Sequence, residues 1–181
     1  MLRYAPNGLT ILRVLLIPVL VVVLVADLPS RDLLAATAFV VAALTDALDG
    51  YLARSRNVVT DFGAYLDPIA DKLLVGSALG ALILLDRLPI WVGILIVGRE
   101  LAVTALRVCA TRKGLKIVAN RFGKLKTVLQ VVMVTVLLCI QQRSVALSLL
   151  ITLTVAVTIA SGLSYFVQFI GWSKRQRAYV S

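Results

Sequence analysis

Apolar runs at residues 9–25, 33–54, 64–85, 88–107, 125–140 and 145–170 leave this chain few ways to fold. Most reach the roughly 17 to 25 residues that cross a bilayer as a helix, and no stretch between them is long enough for a soluble domain. Backbone in hydrocarbon must satisfy its own polar groups, so the expectation is all-α: six transmembrane helices in a single integral membrane domain over residues 1–181. Composition agrees, with 60% hydrophobic and 15% charged residues and a mean hydropathy of +0.97, far from the values of a soluble domain. The first run is too long for a signal peptide and lacks a small-residue cleavage pattern, so it reads as a retained span.

Five of the nine acidic residues fall in one stretch of this apolar chain, four of them in a spaced motif and the fifth, Asp61, between its halves. It reads Asp46-Ala47-Leu48-Asp49-Gly50-Tyr51-Leu52-Ala53-Arg54, then eight residues, then Gly63-Ala64-Tyr65-Leu66-Asp67-Pro68-Ile69-Ala70-Asp71. On a helix Asp46, Asp49, Gly50 and Ala53 share one stripe, and Gly63, Asp67 and Asp71 share another. Two helices joined by a short polar turn would face each other with four carboxylates around a gap left open by small residues. A charged Asp at the bilayer centre costs about 2.5 to 3.5 kcal/mol, so four together require a cation. All-oxygen ligands favour Mg²⁺ or Mn²⁺, and four carboxylates suffice for two metals about 3.5 to 4 Å apart, the arrangement used for in-line displacement at phosphorus. The structural alternative makes Asp67 an N-cap before Pro68 and pairs the others with Arg54 and Lys72. Capping explains one Asp and leaves three.

The spacing Asp-x2-Asp-Gly-x2-Ala-Arg-x8-Gly-x3-Asp-x3-Asp resembles the signature of the CDP-alcohol phosphotransferase family, integral membrane enzymes of phospholipid synthesis. The resemblance implies a bundle of six transmembrane helices with a cytoplasm-facing polar cavity, a homodimer, and transfer of a phosphatidyl group from a CDP-linked lipid to an alcohol with release of CMP. It implies that Asp46 and Asp67 bridge both metals, that Asp49 completes the first site, and that Asp71 completes the second and acts as general base. Gly50, Arg54 and Thr60 fall at its cytidine-nucleotide positions. Near the N-terminus, Asn7, Thr10 and Arg13 recur at i, i+3 and i+6. Read from the residues they are an N-cap and a snorkelling Arg; the resemblance instead assigns Asn7 and Thr10 to the CDP-lipid.

The net charge of +10 does not indicate nucleic acid, because the cations cluster beside apolar spans, where anionic lipid headgroups and phosphorylated substrates are the natural partners. The loops after the first, third and fifth runs hold only Arg31, Arg87 and Arg143, while the remaining sixteen Lys and Arg lie at or near the other loops and the termini. The positive-inside rule then places both termini and the Asp cluster on the cytoplasmic side of the cell membrane. The absence of His removes imidazole bases and His-based zinc sites, and Cys109 and Cys139 read as small core hydrophobes.

A second informative stretch runs from Gly98-Arg99-Glu100 to Arg107, followed by Arg112, Lys113, Lys116, Arg121, Lys124 and Lys126. Most of these cations suit a lipid surface. Arg107 ends one cytoplasm-facing helix and Lys124 and Lys126 precede the next, so a fold can gather these three as a socket for the acceptor's phosphate. Arg99 with Glu100 reads as an intramembrane polar network that orients helices. From about residue 6 to 130 the likeness is to the phosphatidylglycerophosphate synthase branch of the family, which implies CDP-diacylglycerol and sn-glycerol 3-phosphate as substrates. The Asp motif handles the shared donor and leaves inositol phosphate, serine or phosphatidylglycerol open as acceptor. In a different class of function, four Asp could line a divalent-cation transporter, but that predicts carboxylates spread through the membrane depth, and here they lie around one turn beside Arg54. The last two runs carry no recognisable motif, and the tail Ser173-Lys174-Arg175-Gln176-Arg177 reads as a membrane-surface anchor.

Overall fold

The structure, a computed structural model, describes the backbone of residues 5–26, 28–56, 61–112, 121–142 and 144–180, and side chains within 13–26, 28–45, 69–112, 123–142 and 144–171. Six helices follow in chain order: α1 (Ala5–Val25), α2 (Arg31–Arg56), α3 (Asp61–Leu84), α4 (Ile90–Arg112), α5 (Arg121–Cys139) and α6 (Val145–Val180). Each corresponds to one apolar run, and no strand occurs among the described residues. Among those residues, Val145–Gly171 of α6 alone is long and apolar enough to cross a membrane, with a mean hydropathy of 2.1 over 27 residues. The helix then continues through the basic tail to Val180. Its N-terminus is capped by Ser144, whose hydroxyl accepts the Leu147 N–H at 3.2 Å.

The chain divides into two compact units, Met1–Gly93 with Val134–Arg143, and Ile94–Met133 with Ser144–Ser181. In the first, α1 packs against both α2 and α3. Leu20 and Leu24 of α1, Ala35, Phe39 and Ala42 of α2, and Ala70, Leu74, Ala78 and Leu82 of α3 are buried. These residues repeat at helical spacing, and the alanines let backbones approach closely. The opposite faces carry exposed Leu15, Val22, Leu33, Leu44, Leu73 and Leu84. Helices apolar on both faces belong either to the core of a larger assembly or to a membrane.

Between α3 and α4 the chain turns through a Schellman closure: the Arg87 N–H reaches the Leu82 carbonyl at 2.9 Å and the Asp86 N–H the Ile83 carbonyl at 3.0 Å. The closure needs a left-handed residue, and Asp86 supplies it at φ 55°. The next helix comes close to α3 at Gly93, where a Cβ would lie 2.6 Å from Ile83 Cδ1.

Arg87 then reaches across the first unit. Its Nη2 meets the two Asp32 carboxylate oxygens at 2.9 and 3.0 Å, and its Nη1 donates to the Leu138 carbonyl at 3.0 Å. Gln141 Nε2 donates to the same Asp32 at 2.5 Å. The start of α2, the turn before α4 and the end of α5 are thereby tied at one place.

Two expectations change. Cys109 and Cys139 are exposed rather than in the core, because α4 and α5 are apolar on their outer faces too and composition does not say which face turns inward. Arg13 does not snorkel to the surface; it is fully buried on α1.

Candidate active site

Asp46, Asp49, Gly50 and Arg54 lie on α2, and Asp67 and Asp71 on α3, two helices that touch each other and share α1 as a neighbour. The helical backbone makes the spacings 46, 49, 50, 53 and 63, 67, 71 into one stripe on each helix. Asn7 and Thr10 lie on the first turns of α1. Asp71 is half-buried. The side chains of Asn7, Thr10, Asp46, Asp49, Gly50, Arg54 and Asp67, and Thr60 altogether, lie outside the described residues. As a donor set, four carboxylates on two touching helices, with no His or Cys among them, fit hard divalent cations.

The second unit holds a polar seam that three helices build inside an apolar surround. On α6, Thr154, Thr158, Ser161 and Tyr165 are all buried, at i, i+4, i+7 and i+11 along one face. Arg107 of α4 donates through Nη2 to the Tyr165 hydroxyl at 2.7 Å, and its guanidinium carbon lies 4.8 Å from the ring centroid. The same ring has Arg99 at 5.7 Å. A Cβ at Gly123 of α5 would lie 3.0 Å from the Tyr165 hydroxyl, a tight contact that glycine avoids. Arg107 and the first turn of α5, where Lys124 stands, therefore meet at Tyr165.

Two helical turns earlier on α4, Glu100 forms the second knot. Its Oε1 takes Arg99 Nη1 at 3.0 Å and also the Lys126 ammonium of α5. Arg99 Nη2 donates to the buried Ser161 hydroxyl at 2.6 Å, and the stem of Arg99 lies against Gly162, where a Cβ would meet Cγ at 3.2 Å.

Of the three cations expected at the acceptor phosphate, Arg107 and Lys124 are exposed and Lys126 is buried on Glu100. Sequence reading missed Ser161 and Tyr165. Their signal was the run of hydroxyls at helical spacing through an otherwise apolar helix.

Residues 3–160 match the family described as CDP-alcohol phosphatidyltransferase, most of the chain. The chain belongs to this family. It is a transferase of that class, and the family is membrane-embedded and generally dependent on a divalent metal. Ser161 and Tyr165 lie just past the last residue matched.

Among relatives, the CDP-diacylglycerol–glycerol-3-phosphate 3-phosphatidyltransferase of Bacillus subtilis (strain 168) is 38% identical over 178 residues, covering 89% of this chain and 92% of its own length. A probable phosphatidylglycerophosphate synthase of Mycobacterium tuberculosis (strain ATCC 25618 / H37Rv) is 38% identical over 164 residues, 88% of this chain and 78% of its own. A CMP-forming cardiolipin synthase of Oryza sativa subsp. japonica is 34% identical over 174 residues, 86% of this chain and 52% of its own. Membership of an enzyme family sets aside the cation-transporter reading of the four carboxylates.

Proposed function

We propose that this phosphatidyltransferase moves the phosphatidyl group of CDP-diacylglycerol to sn-glycerol 3-phosphate, giving phosphatidylglycerophosphate and CMP. The observation that carries the reading is that relatives named for this reaction match about nine-tenths of the chain at 35 to 38% identity. Asp46, Asp49, Asp67 and Asp71 would hold two divalent cations, Mg²⁺ or Mn²⁺, which when bound offset negative charge building on the diphosphate. Asp71 takes the proton of the 1-hydroxyl of glycerol 3-phosphate. The freed oxygen forms a bond to the β-phosphorus of the donor, the bridging P–O bond breaks, and CMP leaves. Asn7, Thr10, Gly50, Arg54 and Thr60 hold the CDP-lipid, and Arg107, Lys124 and Lys126 hold the acceptor's phosphate. Arg107, an exposed residue whose guanidinium is oriented by Tyr165, supports the last assignment.

The domain is single, consistent with a family match that runs through both compact units. All six helices cross the cell membrane in this reading, with both termini and the carboxylates facing the cytoplasm, and two chains form a homodimer. The exposed large apolar side chains on α1 to α6 support lipid contact within each unit. The rice relative favours one alternative acceptor, phosphatidylglycerol itself.

The deciding experiment gives purified protein CDP-diacylglycerol, Mg²⁺ or Mn²⁺ and a panel of acceptors, and follows CMP release. Release that depends on glycerol 3-phosphate supports the proposal. Release driven by phosphatidylglycerol, inositol phosphate or serine instead replaces the acceptor and keeps the chemistry.

A further inference from the structure

We infer that Glu100 is a positioning residue for acceptor recognition: it fixes the Lys126 ammonium in place and, through Arg99, ties that ammonium to Ser161 of α6. The inference rests on the proposed role of Lys126 at the acceptor phosphate. Three features of the seam carry it. A single oxygen, Oε1 of Glu100, receives both Lys126 and Arg99. The side chains involved are largely shielded, at 9% exposure for Lys126, 11% for Arg99 and 22% for Glu100. The far end of the chain, Ser161, is wholly buried and anchors Arg99 at 2.6 Å.

A lysine stem is flexible, so where its ammonium rests depends on the groups that receive it. Glu100 receives it from the neighbouring helix. It also leaves the trio of Arg99, Glu100 and Lys126 with one net positive charge, which suits an incoming phosphate. Simple electrostatics makes the opposite forecast. If Glu100 only repelled the phosphate, removing its charge would tighten acceptor binding.

The experiment compares E100Q, K126Q, the double variant and the exchanged pair E100K/K126E in the full-length enzyme. Each is assayed for the KM of glycerol 3-phosphate, the KM of CDP-diacylglycerol and thermal stability in detergent. Expected results are a rise of about tenfold in the glycerol 3-phosphate KM for E100Q, which corresponds to one charge-assisted contact. The CDP-diacylglycerol KM stays within twofold, and E100Q adds nothing in the K126Q background. The exchanged pair recovers stability without recovering acceptor affinity, because the ammonium is now on the wrong helix; an ion pair that is only structural would recover both.

A lower acceptor KM in E100Q, additive effects in the double variant, or full recovery of acceptor affinity in the exchanged pair would each overturn the inference. Should E100Q not fold, S161A tests the same chain from its other end and is expected to raise the acceptor KM by a smaller factor; no change there also overturns it. If K126Q itself leaves the acceptor KM unchanged, the assignment of Lys126 to the acceptor fails and this inference with it. An effect of K126Q without one of E100Q sinks this inference alone.

Discussion

Asp71→Asn keeps the shape of the side chain and one ligating oxygen but cannot accept a proton. Loss of a general base lowers rates by about 10² to 10⁴, and a metal ligand is weakened too, so turnover is expected to fall at the upper end while CDP-diacylglycerol still binds. A variant retaining a tenth of the parent rate would remove Asp71 from that role. Asp46→Ala and Asp67→Ala are expected to lose activity at every Mg²⁺ concentration, as bridging ligands would, whereas Asp49→Ala recovers in part with excess metal; titration calorimetry finding a single divalent ion per active site would contradict the shared-ligand scheme. Arg107→Gln should raise the glycerol 3-phosphate KM about ten- to a hundredfold. Tyr165→Phe keeps the ring under the Arg107 guanidinium and removes only the hydroxyl that receives it. The expected rise is therefore smaller, about three- to tenfold, and a kcat change without a KM change would speak against an orienting role.

Individual helices are fixed to one another by side chains at their ends as much as by their apolar faces. Asp32 stands one residue ahead of the apolar run of α2, and Arg87, 8% exposed, is paired with it. Burial opposes ionisation of the Asp32 carboxyl, but the hydrogen bonds from Gln141 and Arg87 and the charges of Arg87 and Arg31 prevail and hold it below the ordinary carboxylate range. A carboxyl lowered in the folded state contributes stability that is present above its unfolded value, about 3.9, and is lost as pH falls through the lower folded value. Acid melting of the detergent-solubilised protein should therefore be steeper in the parent than in Asp32→Asn. At neutral pH that variant should be less stable by about 1.5 to 3 kcal/mol, the usual contribution of hydrogen bonds to a charged group. Equal melting curves from pH 7 to 3 would show that the tie contributes nothing.

The bundle as a whole is expected to obey the positive-inside distribution. With Cys109 and Cys139 replaced by Ser, single cysteines at Ser30 and Gln142 should react with an impermeant maleimide in intact cells, and cysteines at Arg112 and Ser173 only after permeabilisation. Labelling of Arg112→Cys from outside would invert the proposed topology. Light scattering in detergent should find two chains per particle. α6 reaches beyond the membrane in this picture: 36 residues extend about 54 Å at 1.5 Å per residue, against a hydrocarbon core of about 30 Å. Its basic end, with Lys174, Arg175 and Arg177, then continues as helix at the cytoplasmic surface.

Sequence alone determined the number and order of the helices, because helical hydrogen bonds are local and each apolar run is long enough to form its own; the ends moved, with α4 running to Arg112 and α6 to Val180. It also determined the carboxylate stripes, since 46, 49, 50, 53 and 63, 67, 71 need only a helical period to fall in line. Tertiary structure decided which side chains meet across distance in the chain. Arg107 finds Tyr165 58 positions away and Gln141 finds Asp32 109 positions away, partnerships with no periodic trace. It also decided how each helix is rotated. A helix apolar all round gives no sign of which face turns inward, and so Cys109 and Cys139 came out exposed, Arg13 came out buried, and Lys126, read with Arg107 and Lys124 as a phosphate socket, came out buried on Glu100.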